Sequence, residues 1–235
     1  MAIERRVRIV QDTFADNPRE AYGCLAGRMI CWHRRYRIGD KHDYDPDTFM
    51  LELVYEHDSD VADEIDRLEH EVSNKLWDRA EKEGCEGWVE KDNYVEEWVR
   101  PKINGLIERT IREGYVVLPV FMYEHSGIVL STGPFGSSWD SGQIGWIVCD
   151  KKTIDREFNG DRAIAEKSLR DEVKTYSAYV SGDVWGLIAE TRDPDESDEW
   201  EDCDSCFGFY GYDDAVTSIA STFGPDFKDC EIGND

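Results

Sequence analysis

The chain has 235 residues, 40% of them hydrophobic and 28 aromatic, which is ample for a substantial core. Its formal charge of −25 argues against attraction to nucleic acid or anionic membranes and favours positive partners. Its apolar runs fall far short of the roughly 18–20 residues needed to span a bilayer.

In chain order, Arg5-Arg6-Val7-Arg8-Ile9-Val10 alternates charged and apolar residues and reads as a half-buried strand. A second strand is expected within Leu25–Trp32, followed by the basic run His33-Arg34-Arg35-Tyr36-Arg37 and a polar turn, Gly39–Asp47. Phe49–Tyr55 is open to helix or strand. A helix then starts at Asp58 or Ser59 as N-cap, its apolar stripe being Val61, Ile65, Leu68, Val72 and Leu76. Gly84 and Gly87 break it. Asp92 or Asn93 is expected to cap the next helix, which Pro101 should kink and Gly114 should close. Tyr115–Tyr123, Gly127–Ser131 and Gln143–Cys149 are β-rich runs separated by Glu124–Gly127 and by Gly133–Gly142, and they read as a central three-stranded meander. Ala165, Leu169, Val173, Tyr176 and Val180 step by four and three along a helix that ends at Gly182. Val184–Thr191 is a core strand, Arg192–Asp204 an acidic loop, Phe207–Tyr210 a short strand and Tyr212–Phe223 the last helix.

With no repeating βαβ spacing, these elements predict an α+β fold: a mainly antiparallel sheet packed with three to four helices. One domain over residues 1–223 and a disordered tail over 224–235 are expected. Seven cysteines, an odd number without a regular framework, point to reduced thiols. The opening Met-Ala-Ile-Glu-Arg-Arg lacks the apolar run of a secretion signal, so a cytoplasmic location is expected.

The acidity is concentrated. Residues 40–71 hold thirteen acids against Lys41 and Arg67, and residues 190–204 hold nine against Arg192. These stretches therefore carry −19 of the −25, which argues against an evenly salt-adapted surface. Carboxylates three or four apart on a helix lie about 5–6 Å from one another and can imitate the charges of a duplex. The candidate partner contacts are Asp58, Asp60, Asp63, Glu64, Asp66, Asp195, Glu196, Asp198, Glu199 and Asp202.

The other constellations are weaker. Cys203-Asp204-Ser205-Cys206 has the spacing of half a zinc site, but Cys24, Cys31 and Cys230 are poorly placed to complete it, and the neighbouring acids would raise thiol pKa values. Cys31 and His33 would share a face on a strand, as a nucleophile and base could. His125, Asp140, Ser126, Ser131, Ser141 and Asp183 are polar candidates near the turns, yet Gly-x-Ser-x-Gly is absent. Phe135 and Trp139 are expected to pin the long loop to the core. Arg34, Arg35 and Arg37, with Trp32 and Tyr36 between them, resemble a nucleic-acid contact in composition, but pairing with Asp40–Asp47 or with the 193–204 loop is the favoured expectation.

Asn17-Pro18-Arg19-Glu20, Cys31-Trp32-His33-Arg34-Arg35-Tyr36, Trp139-Asp140-Ser141-Gly142-Gln143-Ile144-Gly145 and Ser181-Gly182-Asp183-Val184-Trp185-Gly186 together resemble a family of uncharacterised proteins of bacteriophages and mobile elements. The likeness runs from about residue 5 to 212. The family's usual Cys after Pro-Phe is replaced here by Gly136-Ser137-Ser138. The resemblance implies a phage setting and no specific activity. Joined to the charge, it leads to the expectation of a non-enzymatic inhibitor of a host defence system, restriction or CRISPR, acting as a DNA mimic without a cofactor. Its expected partner is the basic surface of a nucleic-acid-binding protein, with no direct contact to nucleic acid. The alternatives are a small-ligand site or an enzyme at the 125–142 loops, and zinc or calcium binding by residues 193–206.

Overall fold

The computed structural model describes every residue except Met1, Ala2, Tyr22, Cys24, Ser126, Ser137, Ser138, Glu196 and Asp235, together with the side chain of Asn234. Its elements are, in chain order, β1 (Glu4–Gln11), α1 (Pro18–Ala21), β2 (Arg28–Cys31), α2 (Phe49–His57), α3 (Ser59–Arg67), a π-helical turn (Leu68–Val72), α4 (Ser73–Lys82) and α5 (Trp88–Gly114). Then come β3 (Tyr115–Glu124), β4 (Ile128–Ser131), β5 (Ser141–Asp150), α6 (Lys151–Phe158), α7 (Arg162–Ser181), β6 (Val184–Arg192), β7 (Glu201–Tyr210), α8 (Tyr212–Phe223), a 3-10 turn (Pro225–Phe227) and β8 (Glu231–Asn234). The class is α+β, with more helices than the three to four expected. The unforeseen α6 starts immediately after a strand, where Asp150 accepts the backbone N–H of Thr153 at 2.7 Å.

Where the sequence reads as one domain, contacts divide the chain into two compact units: residues 1–25, 119–144 and 168–235 in one, residues 26–118 and 145–167 in the other. Strands β3 and β5 each contribute residues to both units.

In the first unit, β7-β6-β1-β8 form a four-stranded sheet. The alternation along β1 sorts its two faces. Val7 and Ile9 are buried with Leu187 and Ala189 of β6, under Ala215 and Ile219 of α8. Arg6 and Arg8 lie on the other face, where both reach Glu190. The segment after Gly224 is structured, contrary to the expected disorder: Phe227 is buried and β8 pairs in parallel with β1, Val7 opposite Ile232. Its sequence is short and polar, so only its partner strand reveals it.

The second sheet has the order β2-β5-β3-β4. The expected meander is corrected here. β3 pairs antiparallel with β4, Met122 opposite Leu130, but β5 does not follow on beside β4. In the second unit β2 joins β5, Ile30 opposite Trp146, with Gly145 at the crossing. A Cβ on Gly145 would stand 2.1 Å from the Ile30 carbonyl oxygen, so only glycine permits this approach. Phe49 and Leu53 of α2 are buried against Ile30, Val148 and Tyr115, each contributing about 1.5–3 kcal/mol. A second cluster joins Leu68 of the π turn to Val95 and Val99 of α5. Helix α5 begins at Gly87 rather than at Asp92 or Asn93, because Glu90 reaches back to the backbone N–H of Glu86 and Gly87. It runs on through Pro101.

Candidate acidic interface

Helix α3 is held at its start by Asp58, whose Oδ1 accepts the backbone N–H groups of Asp60 and Val61, both at 3.1 Å. Ala62, Ile65 and Leu68 face inward, so the intervening positions must face out. Asp60, Asp63, Asp66, Glu69 and Glu71 are accordingly exposed. Arg67 donates from Nε and a terminal nitrogen to both oxygens of Glu64, at 2.8 and 2.7 Å. That bond holds the Glu64 carboxyl below the usual carboxylate range. Asp66 accepts the Tyr55 hydroxyl at 2.7 Å, and burial together with this hydrogen bond pushes Tyr55 up to about 12. Asp60 and Asp63 carry no ion pair among the described residues. The acidic run is also relieved from a distance: Arg28 binds Glu56 and the Tyr44 hydroxyl, both at 2.8 Å.

In the other unit the arginines near the 193–204 loop are engaged elsewhere. The Arg192 side chain binds Glu4, lies 4.8 Å from the Trp200 ring and reaches only the main-chain carbonyl of Asp198. Arg6 stacks on the same indole at 4.4 Å and donates to Glu190 at 2.7 Å. Its hydrogen bond holds the Glu190 carboxyl down, against the opposite pull of burial. Of the candidate residues here, Asp202 lies 3.7 Å from Arg8, Asp195 is exposed and its N–H donates to Asp193, and Asp198 and Glu199 are exposed without an ion pair among the described residues. Glu196 lies outside the described residues. Nine of the ten candidates thus divide by role: Asp58 caps, Glu64, Asp66, Asp195 and Asp202 are engaged within the chain, and Asp60, Asp63, Asp198 and Glu199 stand open.

The competing constellations fare differently. His33 Nδ1 accepts the backbone N–H of Arg35 and Tyr36, and its ring stacks on Tyr36, so the imidazole is committed to its own loop rather than to the buried Cys31. Arg34 and Arg37 are exposed and form no ion pair among the described residues, so these two do not make the expected pairing with Asp40–Asp47 or the 193–204 loop. Asp40 accepts the N–H of Met29 at 2.8 Å. His125 and Asp140 approach to 3.5 Å, both well exposed. Trp139 does not pin its loop to the core, being 94% exposed, whereas Phe135 rests beside Tyr123 with ring centroids 5.7 Å apart. Ser126 lies outside the described residues. Cys203 and Cys206 sit on β7, their thiols directed at the carbonyls of Ala189 and Phe207. Among the described residues no group of three or more His, Cys, Asp or Glu side chains is disposed to hold a metal ion. No helix among them is long and apolar enough to cross a membrane.

The sequence reading missed the Arg6–Glu190–Arg8 cluster and the turn that carries Glu69. The charge alternation in β1 is a visible signal for the first; the π-helical turn leaves none. No family model, curated protein or solved structure matches the chain.

Proposed function

We propose that this is a non-enzymatic, phage-type binding protein that occupies the basic surface of a host nucleic-acid-handling defence complex, restriction or CRISPR, as a DNA mimic. The observation that carries the reading is the open carboxylates of α3. Asp60 and Asp63 stand outward on a capped, packed helix, and the nearest arginine of that helix is consumed by Glu64. Rigid placement matters because a fixed array of charges loses little entropy when it meets a positive channel. The exposed Asp198 and Glu199 add a second cluster that Arg192 does not neutralise.

In this mechanism the protein arrives fast, drawn by its net negative field, and competes with nucleic acid for the same cationic groups. Salt weakens it. The test is a pull-down from host lysate at low and high salt, with duplex DNA added as competitor. Wild-type protein is expected to retain a nucleic-acid-binding complex that DNA or salt releases. The variant Asp60→Lys, Asp63→Lys, Asp198→Lys, Glu199→Lys should fold and retain nothing. Retention that survives both the four reversals and excess DNA would sink the proposal.

A further inference from the structure

Within the second unit, α2, the π turn and α5 line an open-sided pocket of about 680 Å³, in the range of small-molecule sites. Its chemistry is two-sided. Leu51, Ile103 and Ile107, all half-buried, give it an apolar wall. Around this wall stand four carboxylates, among them Glu69 and Glu108, and one guanidinium, Arg100. Arg100 offsets only part of this charge: it is bound by Glu96, itself one of the four, one helical turn earlier, and it also acts on Glu69, which leaves the lining three negative charges in excess. A second feature points to the same place. Glu69 belongs to the π-helical turn Leu68–Val72, where one extra residue per turn is accommodated. Such turns are rare inside helices and recur at functional sites.

From this geometry we infer that the cavity binds an amphiphilic organic cation: an ammonium head held by Glu69 and Glu108, and an aliphatic body laid against Leu51, Ile103 and Ile107. An anion of the same shape is rejected by the carboxylates, and an ammonium without a tail leaves the apolar wall wet. The inference is independent of the proposed partner, since neither Glu69 nor Glu108 belongs to the open carboxylates of that interface.

The experiment is calorimetric titration of the full chain with n-hexylammonium, n-octylammonium, n-octanoate and tetramethylammonium. Octylammonium should saturate one site and bind about tenfold tighter than hexylammonium, as two further buried methylenes require. Octanoate and tetramethylammonium should show no saturable binding. The double variant Glu69→Gln, Glu108→Gln should weaken octylammonium about tenfold, and Ile103→Trp, which fills the cavity, should abolish its binding. The Asp60→Lys, Asp63→Lys protein should bind it as wild type does, which separates this site from general acidity and from the interface. Circular dichroism verifies folding; if Ile103→Trp misfolds, the double glutamine variant decides. Equal binding of octanoate, or unchanged octylammonium binding in the double variant, overturns the proposal. So does binding of an amphipathic Leu/Lys peptide at this cavity when no alkylammonium binds.

Discussion

Asp58 is both a candidate partner contact and the cap of α3, and a pair of substitutions separates the roles. Asp58→Ala removes an acceptor from two backbone N–H groups, each 3.1 Å away. Both bonds are at the long end of the usual range and the residue is half-buried, so the loss should sit near the middle of the measured spread for N-caps, about 1 kcal/mol. For a chain of this size that corresponds to a fall in Tm of about 2–4 °C. Asp58→Ser keeps an acceptor oxygen in the same position while removing the same negative charge. Any general gain from reducing the net charge is common to both variants and cancels between them. Thermal unfolding followed by circular dichroism should therefore place Asp58→Ser close to wild type and Asp58→Ala below it. Equal Tm values for the two variants would refute the assignment of the cap. With the helix intact, Asp58→Ser also reports how much its charge contributes to partner capture.

Other consequences follow from burial and charge. Gly145→Ala forces a Cβ to within 2.1 Å of a backbone oxygen, so separating β2 from β5 should cost about 3 kcal/mol, read as a large shift of the urea midpoint. Leu53→Ala empties a fully buried position and should lose about 2–5 kcal/mol in the same assay. The carboxyl of Glu190 is held below its ordinary value by Arg6, so its contribution to stability is complete above the ordinary carboxylate pKa and vanishes as pH falls through the lowered one. Glu190→Gln should be destabilised at neutral pH and should lose less stability than wild type on acidification. Burial pushes Tyr115 up to about 12, Tyr55 is raised similarly, and Tyr44 and Tyr94 are also raised; a rapid ultraviolet pH-jump titration should find a group of late-ionising tyrosines that loses one member in Tyr115→Phe.

How far the site was legible differs from residue to residue. The open positions of α3 follow from its apolar stripe: once Ile65 and Leu68 face the core, Asp60 and Asp63 must face away. The engagement of neighbouring acids was not visible in the same way. Glu56 meets Arg28, which lies 28 positions earlier in the chain, and Arg192 turns to Glu4 at the opposite end rather than to its own loop. Density of charge along a sequence therefore overstated how many carboxylates remain open. The loop carrying Trp139 shows the converse error, since an aromatic side chain signals burial only when some surface is folded over it.

By itself the sequence determined the start of α3, the two faces of β1, the stripe of α7 and the acidity of α3, because each depends on neighbours within about one or two turns. Only the tertiary structure decided the strand order β2-β5-β3-β4, the pairing of β8 with β1, the arginines that neutralise Glu56 and Glu190, and the cavity beside Glu69. The physical reason is that backbone pairing is indifferent to side-chain identity: many strands can satisfy the same hydrogen-bonding edge. The choice among them is made by which distant surfaces pack best when the chain closes on itself.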